Sequence, residues 1–274
     1  MSHDDKPVVL ILSGHDPSGG AGLLADAEAV RGCGGWAVTV PTALTVQSTQ
    51  DVESVSPCTG EFVRRAARHL CDDFTIAAIK VGLIPNIDVL NAVIDIAKAC
   101  PGVPLIVDPV MSSGGGTDLS TPHLVGTLRE RLLPLVDILT PNRGELARIA
   151  ARPGEGEVAQ VVEIMSLGCA AVLLTGTDPL EGEAASSLVV HTLHTPDLNR
   201  QWQWPRLSAQ YHGSGCTLAA ALAARLAAGE GLAGACTQAQ RYTWDTLDHG
   251  FMLGRGQRLP DRLWRAPDFD ATLE

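Results

Sequence analysis

Six runs dominated by valine, isoleucine and leucine recur along the chain, at Val8 to Gly14, Trp36 to Leu44, Ala77 to Ile84, Pro104 to Val110, Asp137 to Thr140 and Ala170 to Thr175. They are apolar almost throughout rather than alternating, the pattern of strands covered on both faces, as in a parallel sheet. Between them, Gly60 to Asp73, Asn86 to Cys100, Thr121 to Leu133 and Glu155 to Leu167 carry apolar residues at helical spacing, such as Val89, Val93, Ile94, Ile96 and Ala97. Asn86 to Cys100 also has an acid near its start, a lysine in its last turn and Pro101-Gly102 beyond, the polarity and stop of a crossover helix. After Gly182 the texture changes to "SSLVVHTLHTPDLNRQWQWPRL", alternating and rich in β-formers, which predicts an antiparallel pair at the edge of the sheet. Helical patterns return from Gly213 to about His249, and the tail after Gly254 reads either as a surface wrap or as a partly disordered end. With no internal repeat and no linker-like stretch, residues 1–274 are expected to form one domain with its core at about 8–249.

Composition narrows the function. At 274 residues and 45% hydrophobic content the chain can bury a substantial core, and its formal charge of -11 argues against a sequence-blind grip on nucleic acid or an anionic membrane. Any phosphate site must therefore be local. Two aspartates precede the first apolar run where a signal peptide wants positive charge, so a cytoplasmic protein is expected. The tract from Leu218 to Ala228 is interrupted by Arg225 and falls short of the ~20 apolar residues that span a bilayer. Seven scattered cysteines form no CxxC pair and no Cys/His cluster, as expected of reduced thiols; six of them read as small apolar filler.

Two glycine-rich segments stand out. "SGHDPSGGAGLLAD", Ser13 to Asp26, follows a strand, leads into a helix and holds more glycines than a tight connection requires, which favours a ligand close to its backbone. It is neither GxGxxG nor a P-loop, and the chain has only three lysines, Lys6, Lys80 and Lys98, so a phosphate must be held by backbone N–H groups, helix dipoles, arginine or metal. In "HGSGCTLAAALAARLAAG" a helix is expected to begin at about Cys216, with the amides of Gly213, Ser214 and Gly215 turned toward one anion. Cys216 there reads either as a thiolate, its pKa lowered by the helix N-terminus and able to take a proton from a hydroxyl, or as a buried small side chain. "LIVDPVM" puts Asp108 at a strand's C-terminal end, with "SSGGG" after it as a flexible loop, and "ILTPNRGELARIA" puts Asn142 and Glu145 on a turn into a helix. Together these acids and the amide suit Mg2+ carrying nucleotide phosphates; singly, each is as well read as a helix cap. Gln47, at the end of "VPTALTVQSTQ", offers a donor and an acceptor to a heterocycle edge or to solvent. Trp202, Trp204 and Trp244 read as packing residues.

"SGHDPSGGAG", "TALTVQ", "IKVG", "VDPVM", "LLPLVDILTPNRGE" and "HGSGCTLAAALA", in that order and spacing from about Val8 to Leu247, resemble the hydroxymethylpyrimidine/phosphomethylpyrimidine kinases of thiamin biosynthesis, of the ribokinase-like superfamily. The resemblance implies a three-layer α/β/α fold with a mostly parallel sheet and an antiparallel edge, ATP and Mg2+ with K+ as a further candidate, and a homodimer. It implies pyrimidine contacts from Asp26 and Gln47 with Gly14 and Gly82 lining the pocket, nucleotide contacts from Asn142, Glu145 and Thr175, and a metal held by Asp108 and Glu145. It also implies an anion hole at Gly213, Ser214 and Gly215 with Cys216 as the base. Two departures touch the nucleotide side: "PNRGE" stands for the family's TPNxPE, and "LLTGTDP" for its KGGH-like run, with Thr175 in place of lysine. A pyridoxal or pyridoxine kinase and a catalytically silent pyrimidine-binding module are the alternatives.

Overall fold

The structure, a computed structural model, describes residues 6–112, 116–152, 154–177 and 186–266. Nine strands make one sheet in the order β3-β2-β1-β4-β5-β6-β7-β8-β9. They are β1 (Val8–His15), β2 (Trp36–Gln47), β3 (Val52–Pro57), β4 (Ile76–Val81), β5 (Leu105–Val107), β6 (Ile138–Leu139), β7 (Val172–Gly176), β8 (Leu188–His194) and β9 (Asn199–Pro205). From β2 to β7 every pairing is parallel, and β3, β8 and β9 add antiparallel edges.

The near-continuous apolar runs are explained by the two cores they serve. Leu10, Leu12, Ile79, Val81, Leu105 and Val107 face one cluster, while their neighbours Val9, Ile11, Ala78 and Ile106 face the other. The first face is covered by α2 (Gly60–Asp73), α3 (Ile87–Ala99), α4 (Pro122–Thr127), α5 (Arg143–Ala150) and α6 (Glu157–Ser166). The second is covered by α1 (Gly22–Gly32), α7 (Ser214–Ala227) and α8 (Leu232–Asp248). This is the expected three-layer α/β/α arrangement.

The differences from the sequence reading are local. Strand β3, not foreseen, is a short, largely exposed hairpin partner of β2, and β2 itself runs on to Gln47. The helix expected over Thr121 to Leu133 is α only to Thr127, then a π turn over Leu128–Leu132 and a 3-10 turn over Leu133–Leu135; Pro134 has no N–H with which to continue the ladder. The tail wraps rather than frays as far as Ala266: Gln257 N–H bonds Thr49 O, Arg258 N–H bonds Gln210 O, and Arg262 is buried. Residues 113–115 of the expected flexible loop, Asp178 and residues 267–274 of the tail lie outside the described residues. Among the described residues no helix is long and apolar enough to cross a membrane.

Candidate active site

Because the chain leaves β1 toward β2 on one side and returns to β4 on the other, a crevice opens at the C-terminal ends of the parallel strands, where open α/β sheets bind ligands. A cavity of about 660 Å3 occupies it. Following the strand order, Gly14, His15, Thr45, Gln47, Val55 and Leu83 line one end, Asp108 and Gly213 to Cys216 the middle, and Asn142, Glu145, Thr175, His191, Trp204 and Arg206 the other.

The two glycine segments lock together at the middle. Gly213 caps α7 in the left-handed region (φ 73°), and a Cβ there would lie 2.0 Å from Gly20 O, so only glycine fits. The helical ladder opens with Thr217 N–H donating to Gly213 O, so the amides of Ser214, Gly215 and Cys216 precede it and face the cavity with the positive end of the helix dipole. Gly22 (φ 61°) threads between Gly14 O and the Cys216 thiol, to which its N–H donates.

Cys216 is not a thiolate in this setting. Burial pushes its thiol up to about 12, and the carboxylates of Asp108 and Asp26 add to the rise, outweighing Lys80 and the Gly22 amide. The thiol donates to Asp108, whose own pKa burial raises and Lys80 lowers. The thiolate reading, drawn from the helix N-terminus alone, left out the two carboxylates that the fold packs behind the thiol. The other cysteines fit their reading as filler: Cys169 and Cys236 are buried in the two cores, and Cys33, Cys58, Cys71 and Cys100 pack half-buried against them.

Lys80 organises the floor. It is fully buried on β4, with Nζ 2.7 Å from Asp26 Oδ2 and 3.9 Å from Asp108 Oδ2. Burial alone would push it down, but Asp26 and Asp108 hold it above its usual value. Asp26 and Gly82, expected in the pyrimidine pocket, do not line the cavity: Asp26 is drawn beneath the floor by Lys80, and Gly82 makes room for Ser13 and the Lys80 ammonium. A lone lysine inside "AAIKVGLI" was the available signal, since a charge in a buried strand requires a partner.

At the first end, Asp16 anchors the glycine loop. Its carboxylate accepts from Ser18 N, Ser18 Oγ, Ala21 N and His212 Nε2, and although burial opposes ionisation these donors hold its pKa below the usual carboxylate value. His212 Nε2 lies 2.9 Å from Asp16 Oδ2 and 2.9 Å from one terminal atom of the Gln47 amide, whose other terminal atom is 3.1 Å from Thr45 Oγ1. A carboxylate can only accept, so His212 Nε2 carries the proton and must meet the Gln47 carbonyl oxygen. Thr45 Oγ1 donates to His15 O, so it accepts from the Gln47 NH2. Gln47 is thereby left with one N–H to offer a ring nitrogen.

At the far end, Asn142 and Glu145 form a reciprocal capping box on α5: Asn142 Oδ1 accepts Glu145 N–H at 2.8 Å and Glu145 Oε2 accepts Asn142 N–H at 2.9 Å. Both line the cavity, as does Thr175, bridged to Asn142 across the strand ends. Trp204 and Trp244 also wall it, their indoles tied to Gln240 Oε1 and Pro205 O. Among the described residues no group of three or more His, Cys, Asp or Glu could hold a metal. Asp108 Oδ2, however, is buried without a hydrogen-bond partner, and carboxylates this sparse fit Mg2+ that arrives with nucleotide phosphates.

A glycine-capped helix N-terminus opening on the crevice of an open α/β sheet, with Cys216 and Asp108 beside it, is the arrangement of a ribokinase-like fold. The model of the phosphomethylpyrimidine kinase family matches residues 16–261, and the chain belongs to that family. It is 34% identical over 220 residues, 78% of its length and 81% of the other's, to the hydroxymethylpyrimidine/phosphomethylpyrimidine kinase of Escherichia coli K12. It is 31% identical over 267 residues to the probable chloroplastic thiamine biosynthetic bifunctional enzyme of rice, covering 94% of this chain but 48% of the rice protein, so the chain spans about half the length of that relative. The ADP complex of Bacillus subtilis pyridoxal kinase superposes with a TM-score of 0.84 at 24% identity, over 96% of this chain and all of the other.

Proposed function

We propose that the protein transfers the γ-phosphoryl of ATP to the hydroxymethyl of 4-amino-5-hydroxymethyl-2-methylpyrimidine, and then phosphorylates the monophosphate to the diphosphate. The observation that carries this reading is the opening of the α7 N-terminus, with Cys216 beside it, midway along one cavity between the Gln47 end and the Asn142, Glu145 and Thr175 end. The hydroxymethyl oxygen attacks the γ-phosphorus from the Gln47 end, and the bond to the β–γ bridging oxygen breaks toward the other, leaving its electron pair on ADP. The amides of Ser214, Gly215 and Cys216 hold the charge on the transferred group.

The substrate proton goes to the Cys216–Asp108 pair. As the thiol gives its proton to the Asp108 carboxylate it accepts the one released by the hydroxyl, so no resting thiolate is needed. Asn142, Glu145 and Thr175 are assigned to the nucleotide phosphates and Glu145 to Mg2+, which when bound would neutralise charge on the polyphosphate; Asp108, expected beside Glu145 at the metal, is assigned to the proton relay instead. Gly14 and Gln47 are assigned to the heterocycle, with Asp26 and Gly82 acting from beneath through Lys80.

The test is ADP release from MgATP by the purified protein with the pyrimidine, its monophosphate or pyridoxal as acceptor. Turnover of both pyrimidines is expected. Turnover of pyridoxal alone would make the protein a vitamin B6 kinase, and none at all, with ligand binding intact, would leave a silent binding module.

A further inference from the structure

The nucleotide end of the cavity is short of cations. Among the described lining residues there is no lysine and one arginine, Arg206, whose Nε and Nη1 are engaged by Ser186 O and Thr177 O. The end of β7 offers little in exchange: Thr175 N–H and the Thr175 hydroxyl donate to Pro141 O, and Gly176 N–H donates to the ring of His191. That last bond decides the chemistry of the neighbouring strand. His191 stands opposite Thr175 on β8, is 9% exposed and lines the cavity. Its Nδ1 accepts Gly176 N–H at 3.3 Å, so in the neutral ring the proton sits on Nε2. The ring is neutral because burial and the nearby Arg143 push its pKa down to about 4.

We propose that His191 is a nucleotide-binding residue whose Nε2–H donates to a phosphate oxygen of the bound nucleotide, on the side of the cavity where this chain carries Thr175 instead of lysine. The imidazole is a neutral donor of fixed direction, held by a strand-to-ring hydrogen bond, so it contributes orientation rather than charge. The inference rests on the kinase reading, and its test separates the two, because nucleotide binding can be measured without any acceptor.

Two substitutions divide the functions of the ring. In His191→Asn the side-chain oxygen can take the place of Nδ1 toward Gly176, while nothing reaches the position of Nε2. In His191→Gln the longer amide can place an N–H near Nε2, at the expense of the bond to Gly176. Titration calorimetry with MgADP and with adenosine, alongside thermal melting of each variant, reads the outcome. The expected result is ADP affinity about tenfold weaker in His191→Asn, the loss of one good hydrogen bond, and within about threefold of wild type in His191→Gln. Adenosine affinity should be the same in all three. Wild-type ADP affinity in a folded His191→Asn protein would overturn the proposal, as would an equal loss for adenosine, which would move the contact to the nucleoside. Failure of the wild type itself to bind MgADP would instead remove the kinase reading beneath it.

Discussion

Single side chains in this protein are governed by what the fold packs behind them. Cys216 illustrates it: a helix N-terminus favours thiolate, yet burial and two carboxylates push the thiol up to about 12, which is why the base proposed above is a thiol–carboxylate pair. Cys216→Ala should lower turnover by about 10²-fold or more while substrate affinity, read by calorimetry, stays within a few-fold; turnover close to wild type would remove Cys216 from the mechanism. His191 gives a pH signature of folding. Its pKa falls from 6.5 to about 4 on folding, so between those values the unfolded chain binds more protons and stability rises with pH. Acidification from pH 6.5 to 4 should therefore cost the wild type about 3 kcal/mol that His191→Asn does not lose. Urea midpoints measured across that window for both proteins check it, and parallel curves would contradict the assigned neutrality.

At the scale of elements, loops and helix ends carry both stability and chemistry. The capping box of α5 was legible in "TPNRGE", where an Asn and a Glu stand at the spacing that satisfies two orphan amides. Asn142→Ala should destabilise the fold by about 1 kcal/mol, a fall of about 2–4 °C in melting temperature, and should weaken MgADP binding if the same side chain meets the phosphates. An unchanged melting temperature would mean that the cap is redundant. The helix at Thr121 was legible in its cap, and Pro134 marks where its ladder stops, but the π turn before that proline lies against α3 and answers to packing as well as to propensity. Strand β3 escaped notice because "VESVSP" is short, mostly exposed and ends in proline, so it lacks the apolar run that marks the covered strands.

For the whole molecule, the tail acts as a strap. Arg262 reaches from the last described turn to Gly19 O, Gly20 O, Thr217 Oγ1 and Glu28, tying the first glycine loop, α1 and α7 together behind the α7 N-terminus. Arg262→Met would leave those buried carbonyls without a donor, and a loss of about 3 kcal/mol is expected in denaturant melts, together with reduced turnover; a wild-type midpoint would show that the strap is not needed. Hydrophobic period, glycine content and caps act over a few residues, so the layers, the strand edge where the cavity opens and most of the cavity's lining were legible before folding. Only the tertiary structure decided that Lys80 pairs with Asp26 beneath the floor, and that His212 meets Asp16 across 196 residues of chain and so turns the Gln47 amide. It also decided that two carboxylates stand behind the Cys216 thiol and that His191 lines the cavity beside Thr175. Those outcomes depend on which strands become neighbours and on how much water each charge loses, and neither quantity exists until the chain has folded.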